Sequence, residues 1–352
     1  MALNYQFNTI IRTFAFAWVL VWASPLLPAT ALAGAQTRVA LSEPITVSEP
    51  RFSAVTGAVR FPNGSIVVGD PVEREVVLVE KNGRARVLGR TGSGPGEYRQ
   101  PQRLLPFRSS SALMIDPALN RVTTIDSTGR FVSAVGFPDG LGAFALPGVR
   151  SVDYSGRMVF GVPMIGSRPG EVPVFLWKWP DGSLQPVDTI KGAKLADGGA
   201  GMVRIVPFSH ADEVALLTDG TRVTLRASTR TIEWIGPNGG VTRRPLPGEE
   251  TDIPSTVRER IRPVELQREV GRTYPPFDAS TILVSSANRV WFRSLPARGD
   301  STAWYGFSAT EKQPYVLMLD RTSLLITVQE PYAILIRTMN DDTERIEVRR
   351  FR

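Results

Sequence analysis

Turn residues recur along this chain at intervals that leave room only for short strands between them, and that spacing limits the possible folds more than any other feature. The stretch from Gly92 to Asp126 shows the pattern most clearly. The run Gly92-Ser-Gly-Pro-Gly96 permits backbone angles that a regular element forbids, so it must be a connection. Asp116-Pro117-Ala-Leu-Asn120 then reverses the chain between two apolar strands, Ala112 to Ile115 and Val122 to Ile125. Six such pairs of turns can be assembled. They are Asn63-Gly64 with Asn82-Gly83, the Asn120 turn with Thr128-Gly129, Ser155-Gly156 with Asp181-Gly182, and Asp219-Gly220 with Asn238-Gly239, followed by Ala287-Asn288 with Arg298-Gly299-Asp300 and Asp320-Arg321 with Asn340-Asp341-Asp342. The chain is therefore expected to be all-β and built from repeated units of roughly 53 residues, a little above the usual repeat length.

The residues Gly94-Pro-Gly-Glu97, Pro101, Asp116, Asn120-Arg121, Asp126 and Gly129 resemble the NHL-type six-bladed β-propellers, and more closely the exported bacterial propellers of that kind. One copy of the pattern is clear. Looser matches follow in order at Pro207-Phe208, Asp219-Gly220, Pro275-Pro276-Phe277 and Val290-Trp291. The resemblance implies a six-bladed β-propeller with four-stranded antiparallel blades. A ring left open would expose strand edges that recruit other chains. Thr37 to Val47 and Glu344 to Phe351 both read as strands and are expected to share a blade, so that residues 34–352 form one propeller domain. An insertion at about 250–274 interrupts the β pattern, with a short helix expected from about Pro254 to Arg262, because a proline stands at its start and an acid just ahead.

Residues 1–33 read as a secretory signal. Arg12 supplies positive charge, Phe14 to Ala23 is apolar, and Ala31-Leu32-Ala33 fits the small-residue cleavage pattern, with Ala35 as the second choice. An uncleaved anchor is the competing reading, which Pro25 and Pro28 oppose by ending the helix early. The expected location is extracytoplasmic, periplasmic or secreted, with no stable membrane insertion after cleavage. The sequence has no cysteine. Disulfide frameworks, thiolate zinc sites and thiol catalysis are excluded with it.

The net charge is +7, but basic residues are mixed with acids almost everywhere, and Arg243-Arg244 and Arg349-Arg350 are the tight pairs. A nucleic-acid binder would gather them into a patch with interleaved aromatics, so no nucleic-acid partner is expected. A protein, small-molecule or glycan partner fits better, with anionic groups favoured.

Glu97, Tyr98, Arg99, Gln100 and Arg103 form the densest polar and aromatic cluster beside a connection, and loops on a rigid scaffold are where binding sites lie. Glu97, Tyr98, Arg99 and Arg103, with Asp116 and Arg121, make the candidate ligand-binding set. Asp70, Asp116 and Asp126 follow apolar strands at turn entries. They could line a channel and bind calcium, or accept hydrogen bonds from their own turns, which the residues favour. Asn120 and Arg121 fit a brace between blades at least as well as a ligand contact. His210 is the single histidine, which excludes a three-histidine zinc site and leaves a general base without a matching nucleophile. Gly92 to Gly96 lacks the Gly-Lys-Ser/Thr that a phosphate loop needs. Trp177-Lys-Trp179 sends two indoles to one side of a strand, where they could stack on a sugar or pack between blades.

The combined reading is an exported propeller acting as a binding or interaction scaffold, with no catalytic residue, metal ligand or cofactor assigned. Its alternatives are a calcium-dependent lactonase-like hydrolase using channel carboxylates such as Asp70 and Asp116, and a protein that binds carbohydrate or a cell-surface polymer.

Overall fold

The computed structural model describes residues 36–49, 51–137, 146–162, 170–197, 203–248, 250–296 and 299–352. The expected signal at 1–33 and parts of the glycine-rich loops lie outside them. Among the described residues no helix is long and apolar enough to cross a membrane.

Six antiparallel sheets stand around one axis as the blades of a propeller. Blade 1 is Gly57–Arg60, Ile66–Asp70, Glu75–Val79 and Ala85–Leu88, and blade 2 is Arg103–Phe107, Ser111–Asp116, Arg121–Asp126 and Phe131–Gly136. Blade 3 has Arg157–Gly161, Glu171–Lys178 and Ser183–Lys191, with its first strand reduced to a single bridge from Val152 to Met158. Blade 4 is Glu213–Leu216, Arg222–Arg226, Thr231–Ile235 and Val241–Pro245, and blade 5 is Leu283–Val284, Val290–Arg293, Ser301–Phe307 and Tyr315–Asp320. Blade 6 is Ser323–Gln329, Tyr332–Thr338 and Glu344–Arg350, completed by Thr46–Val47 from the other end of the chain. First strands of neighbouring blades touch one another, which places them at the axis.

The core lies between blades rather than within them. Second strands such as Ile66–Asp70 are buried along their whole length because both faces meet a neighbour, so they read as continuous apolar runs. Between blades 2 and 3, Leu105, Phe107 and Ile115 pack on Met158, Phe160, Trp177 and Trp179. Between blades 4 and 5, Leu225, Ile232 and Trp234 pack on Val290, Phe292 and Phe307. Trp177 and Trp179 are 0% and 8% exposed, and their rings meet Phe137 and Phe107 edge-on at 4.4 and 5.5 Å. Blade-to-blade packing, the default reading for this pair, is what the structure shows, and the sugar-stacking alternative falls.

Ring closure joins the two ends, though not along the whole expected length. Thr46 and Val47 pair antiparallel with Val348 and Glu347, while Thr37–Val39 pairs in parallel with Tyr315–Leu317 of blade 5. The N-terminal segment thus ties two blades together. Two other expectations need correction. The turn at Asp320-Arg321 links blade 5 to blade 6, and the first hairpin turn of blade 6 falls at Glu330-Pro331 instead. The insertion is helical only over Ser255–Arg258 and resumes as a 3-10 turn at Val264–Arg268. Pro263 explains the break, because it has no N–H to donate and pushes Arg262 out of the α region.

A small second core holds that insertion in place. Ile253, Ile261, Leu266, Val270 and Tyr274 pack with Val206, beside the two-stranded ribbon Leu195–Asp197 and Val203–Ile205. Ribbon and insertion precede the first strands of blades 4 and 5, so both sit on the face of the disc where the chain enters each blade.

Candidate functional site

Antiparallel order places the start of each first strand and the end of each second strand on that entry face. Asp70 and Asp116 end the second strands of blades 1 and 2, and both are buried, at 1% and 0% exposure. Asp116 accepts from the backbone N–H groups of Arg99 at 2.8 Å, Gln100 at 3.2 Å and Leu119 at 3.2 Å. Asp70 accepts from those of Ser53 at 2.7 Å, Ala54 at 3.2 Å, Val72 at 3.0 Å and Glu73 at 3.1 Å. Asp126 takes the N–H groups of Thr128 and Arg130 in its own turn. Asp70 and Asp116 each fasten a loop to a blade edge with both oxygens engaged, which leaves few of the lone pairs that calcium would need.

Most of the expected ligand-binding set turns out to be part of the same fastening. Tyr98 is 1% exposed, and its hydroxyl accepts from Val76 N–H and donates to Leu88 carbonyl, bridging the third and fourth strands of blade 1. Burial pushes its phenol pKa up. Glu97 accepts from the N–H groups of Ser93 and Gly94 and pairs with Arg90 at 2.6 Å, and these contacts hold its carboxyl below the usual range. Arg121 donates to the carbonyls of Ser93 at 3.1 Å and of Glu97. The loop Gly92 to Gln100 is thereby a strut between blades 1 and 2. Arg99 offers its backbone to Asp116 and leaves its side chain exposed.

Arg103 stands apart from these residues. It begins the first strand of blade 2 and feels the charges of Arg150, which leads into the first strand of blade 3, and of Glu213, which begins the first strand of blade 4. Arg150 Nε lies 3.7 Å from Glu213 Oε2, longer than a hydrogen bond, and both side chains keep a fifth or less of their surface accessible, 16% and 20%. Burial, then repulsion from Arg150, lowers the Arg103 pKa to about 9, against the opposing pull of Glu213. It remains a cation at neutral pH. Burial raises the Glu213 carboxyl in spite of both arginines, with Asp278 adding to the rise. Asp278 in turn pairs with Arg293 of blade 5. Among the described residues, the buried Nε atoms of Arg103 and Arg150 have no hydrogen-bond partner.

Arg150 and Glu213 were not singled out in the sequence, yet a signal for them exists. Aligning the first strands as Arg103-Leu-Leu, Arg150-Ser-Val and Glu213-Val-Ala puts a charge at the point where each strand reaches the axis. His210 lies elsewhere on the same face, in the wall of a cavity of about 480 Å³ lined also by Lys191, Lys194, Phe208, Ser209 and Glu269. Lys194 and Glu269 close part of that cavity with a 2.8 Å ion pair between ribbon and insertion. Burial and then Lys191 lower the His210 pKa.

No protein-family model and no curated protein sequence matches the chain. Among solved structures it is similar to a member of the DUF4221 family from Bacteroides vulgatus, at 9% identity and a TM-score of 0.51, covering 90% of this chain and 99% of that one. The chain belongs with the six-bladed propellers by fold. It also aligns with a streptogramin B lyase, at 13% identity and a TM-score of 0.43, covering 88% and 87% of the two chains. The PQQ-bound form of an aldose sugar dehydrogenase from Streptomyces coelicolor aligns at 14% identity and a TM-score of 0.47, covering 89% and 98%. A fold alone carries no activity with it.

Proposed function

We propose that this chain is an exported propeller of the NHL-like kind that binds a ligand at the entry-face mouth of its central channel. One observation carries the reading: Arg103, Arg150 and Glu213 come from the inner strands of three blades, and among the described residues one long ion pair, Arg150 to Glu213 at 3.7 Å, stands beside two arginines whose buried Nε–H groups have no acceptor. Burying charge is costly unless it is fully partnered, and apolar residues would pack the blades as well. Charged groups perturbed by burial and by one another are candidates for functional positions. Export is supported by the signal pattern in residues 1–33. The hydrolase alternative loses support because Asp70 and Asp116 spend their oxygens on backbone N–H groups.

Native mass spectrometry of protein purified gently from the extracytoplasmic fraction tests this reading. A small molecule is expected to accompany the wild type and to be missing from an Arg150→Ala, Glu213→Ala double variant that still melts cooperatively. Wild type and variant carrying the same masses, or none, would overturn it.

A further inference from the structure

The charges at the channel mouth do not cancel. Among the described residues, Arg293 pairs with Asp278, and Glu213 is the acid that acts on both Arg103 and Arg150, which leaves one positive charge in excess in this group. Glu213 reaches Arg150 only at 3.7 Å. The Nε–H groups of Arg103 and Arg150 are buried and have no acceptor. A guanidinium presents a planar fork of N–H donors whose best match is a planar anion that can accept two parallel hydrogen bonds. The excess of one positive charge matches a single negative charge, whereas a phosphate dianion would overshoot it.

We propose, building on the channel-mouth reading above, that Arg103 and Arg150 together hold the carboxylate of a small monoanionic organic acid. Its oxygens would take the Nε–H donors that no described residue satisfies, while Glu213 offsets the repulsion between the two guanidiniums in the empty state. The remainder of such a ligand would extend outward from the axis toward the entry face. Arg103 then has a role that differs in sign from that of a structural arginine. In the absence of ligand its buried charge works against folding, and replacing it with an apolar side chain of similar length relieves that cost.

The test is a thermal-shift and calorimetric titration of the mature protein at low ionic strength. Acetate, benzoate and glucuronate serve as carboxylates, acetamide and benzamide as their uncharged counterparts, and inorganic phosphate as a dianion. At least one carboxylate should raise the melting midpoint while the amides do nothing. Arg103→Met should weaken that binding by at least about tenfold, and the unliganded variant should melt at or above the wild-type temperature. An Arg99→Ala control should leave the binding unchanged. The proposal is overturned if no carboxylate shifts the midpoint at millimolar concentrations, if binding persists in both Arg103→Met and Arg150→Met, or if Arg103→Met melts well below wild type. Stronger binding of phosphate than of any carboxylate also overturns it. A native-mass ligand that needs Arg150 and Glu213 yet lacks a carboxylate would end this proposal and leave the channel-mouth reading standing.

Discussion

Asp116, at the end of the second strand of blade 2, accepts the backbone N–H of Arg99 at 2.8 Å and so pins the incoming loop to the blade that the loop has yet to build. Its other acceptor contacts, from Gln100 and Leu119, lie on either side of the strand. Asp116→Ala would strand three backbone donors at a site that is 0% exposed. The expected loss is about 3 kcal/mol or more, since hydrogen bonds to a charged acceptor are the strong ones and unsatisfied buried donors are costly. Urea unfolding should show a lowered midpoint with an unchanged slope. A loss below about 1 kcal/mol would contradict the bracing role.

Calcium should leave the protein unmoved. Asp70 uses both oxygens on four backbone N–H groups, whereas a calcium ion needs about six to eight oxygen ligands with free lone pairs. Melting after chelation and then with added calcium is expected to give the same midpoint. A saturated folded-state site would add about 2.7 kcal/mol at a hundredfold excess over its dissociation constant, so a clear rise would show that carboxylates elsewhere on the chain bind the metal.

The blades were legible because their determinants are local. Asn-Gly and Asp-Gly turns such as Asn63-Gly64 and Asp219-Gly220 set where strands end, and apolar runs such as Ala112 to Ile115 mark where they are buried. The Asp320-Arg321 turn misled because a tight reversal looks the same within a blade and between blades. Site residues were much less legible. Glu97, Tyr98 and Arg121 share a loop neighbourhood with Arg103, and nothing local says that the first three brace a strut while the fourth turns to the axis. The partners of Arg103 come from positions 150 and 213, and only the ring brings them together.

Gly306 is fixed by its cross-strand partner. A Cβ at this position would lie 2.6 Å from Trp291 Cε2 and 2.7 Å from Cζ2. The indole cannot retreat, being 2% exposed and stacked on Phe351 at 5.6 Å. Gly306→Ala should therefore cost about 2 kcal/mol through overpacking, read as a drop in the thermal midpoint and as altered tryptophan emission. A neutral or stabilising result would mean that the Trp291 ring has more room than this packing allows.

Glu344 should make stability depend on pH in the direction opposite to a salt-bridged acid. Burial, with Asp70 adding to it, raises its pKa from 4.5 to about 7, while the hydrogen bond from Val55 N–H works the other way. Between those values the folded state binds more protons than the unfolded one, so stability falls as pH rises. The contribution is complete below about 4.5 and gone above about 7, and one pKa unit is about 1.4 kcal/mol. The full swing is at most about 3.5 kcal/mol, smaller after allowance for partial exposure. Glu344→Gln keeps an acceptor for Val55 and should flatten this window, giving a variant more stable than wild type at pH 8. Parallel pH profiles for the two proteins would refute the assignment.

The N-terminal strand should be indispensable even though it is short. Ile45 N–H donates to Val348 carbonyl, Ser48 N–H to Ile346 carbonyl, and Ser48 Oγ accepts from Ile346 N–H, so this segment satisfies the outer edge of Glu344–Arg350. Ile346 and Val348 are each 0% exposed beneath it. Deleting residues 36–48 would bare that edge and also remove the parallel strand on blade 5, leaving backbone groups that pair with other chains. The expected product lacks a cooperative melt and self-associates by light scattering, and a synthetic peptide of residues 36–49 added in trans should restore part of the transition. A deletion variant that melts like wild type would show that blades 5 and 6 close the ring without it.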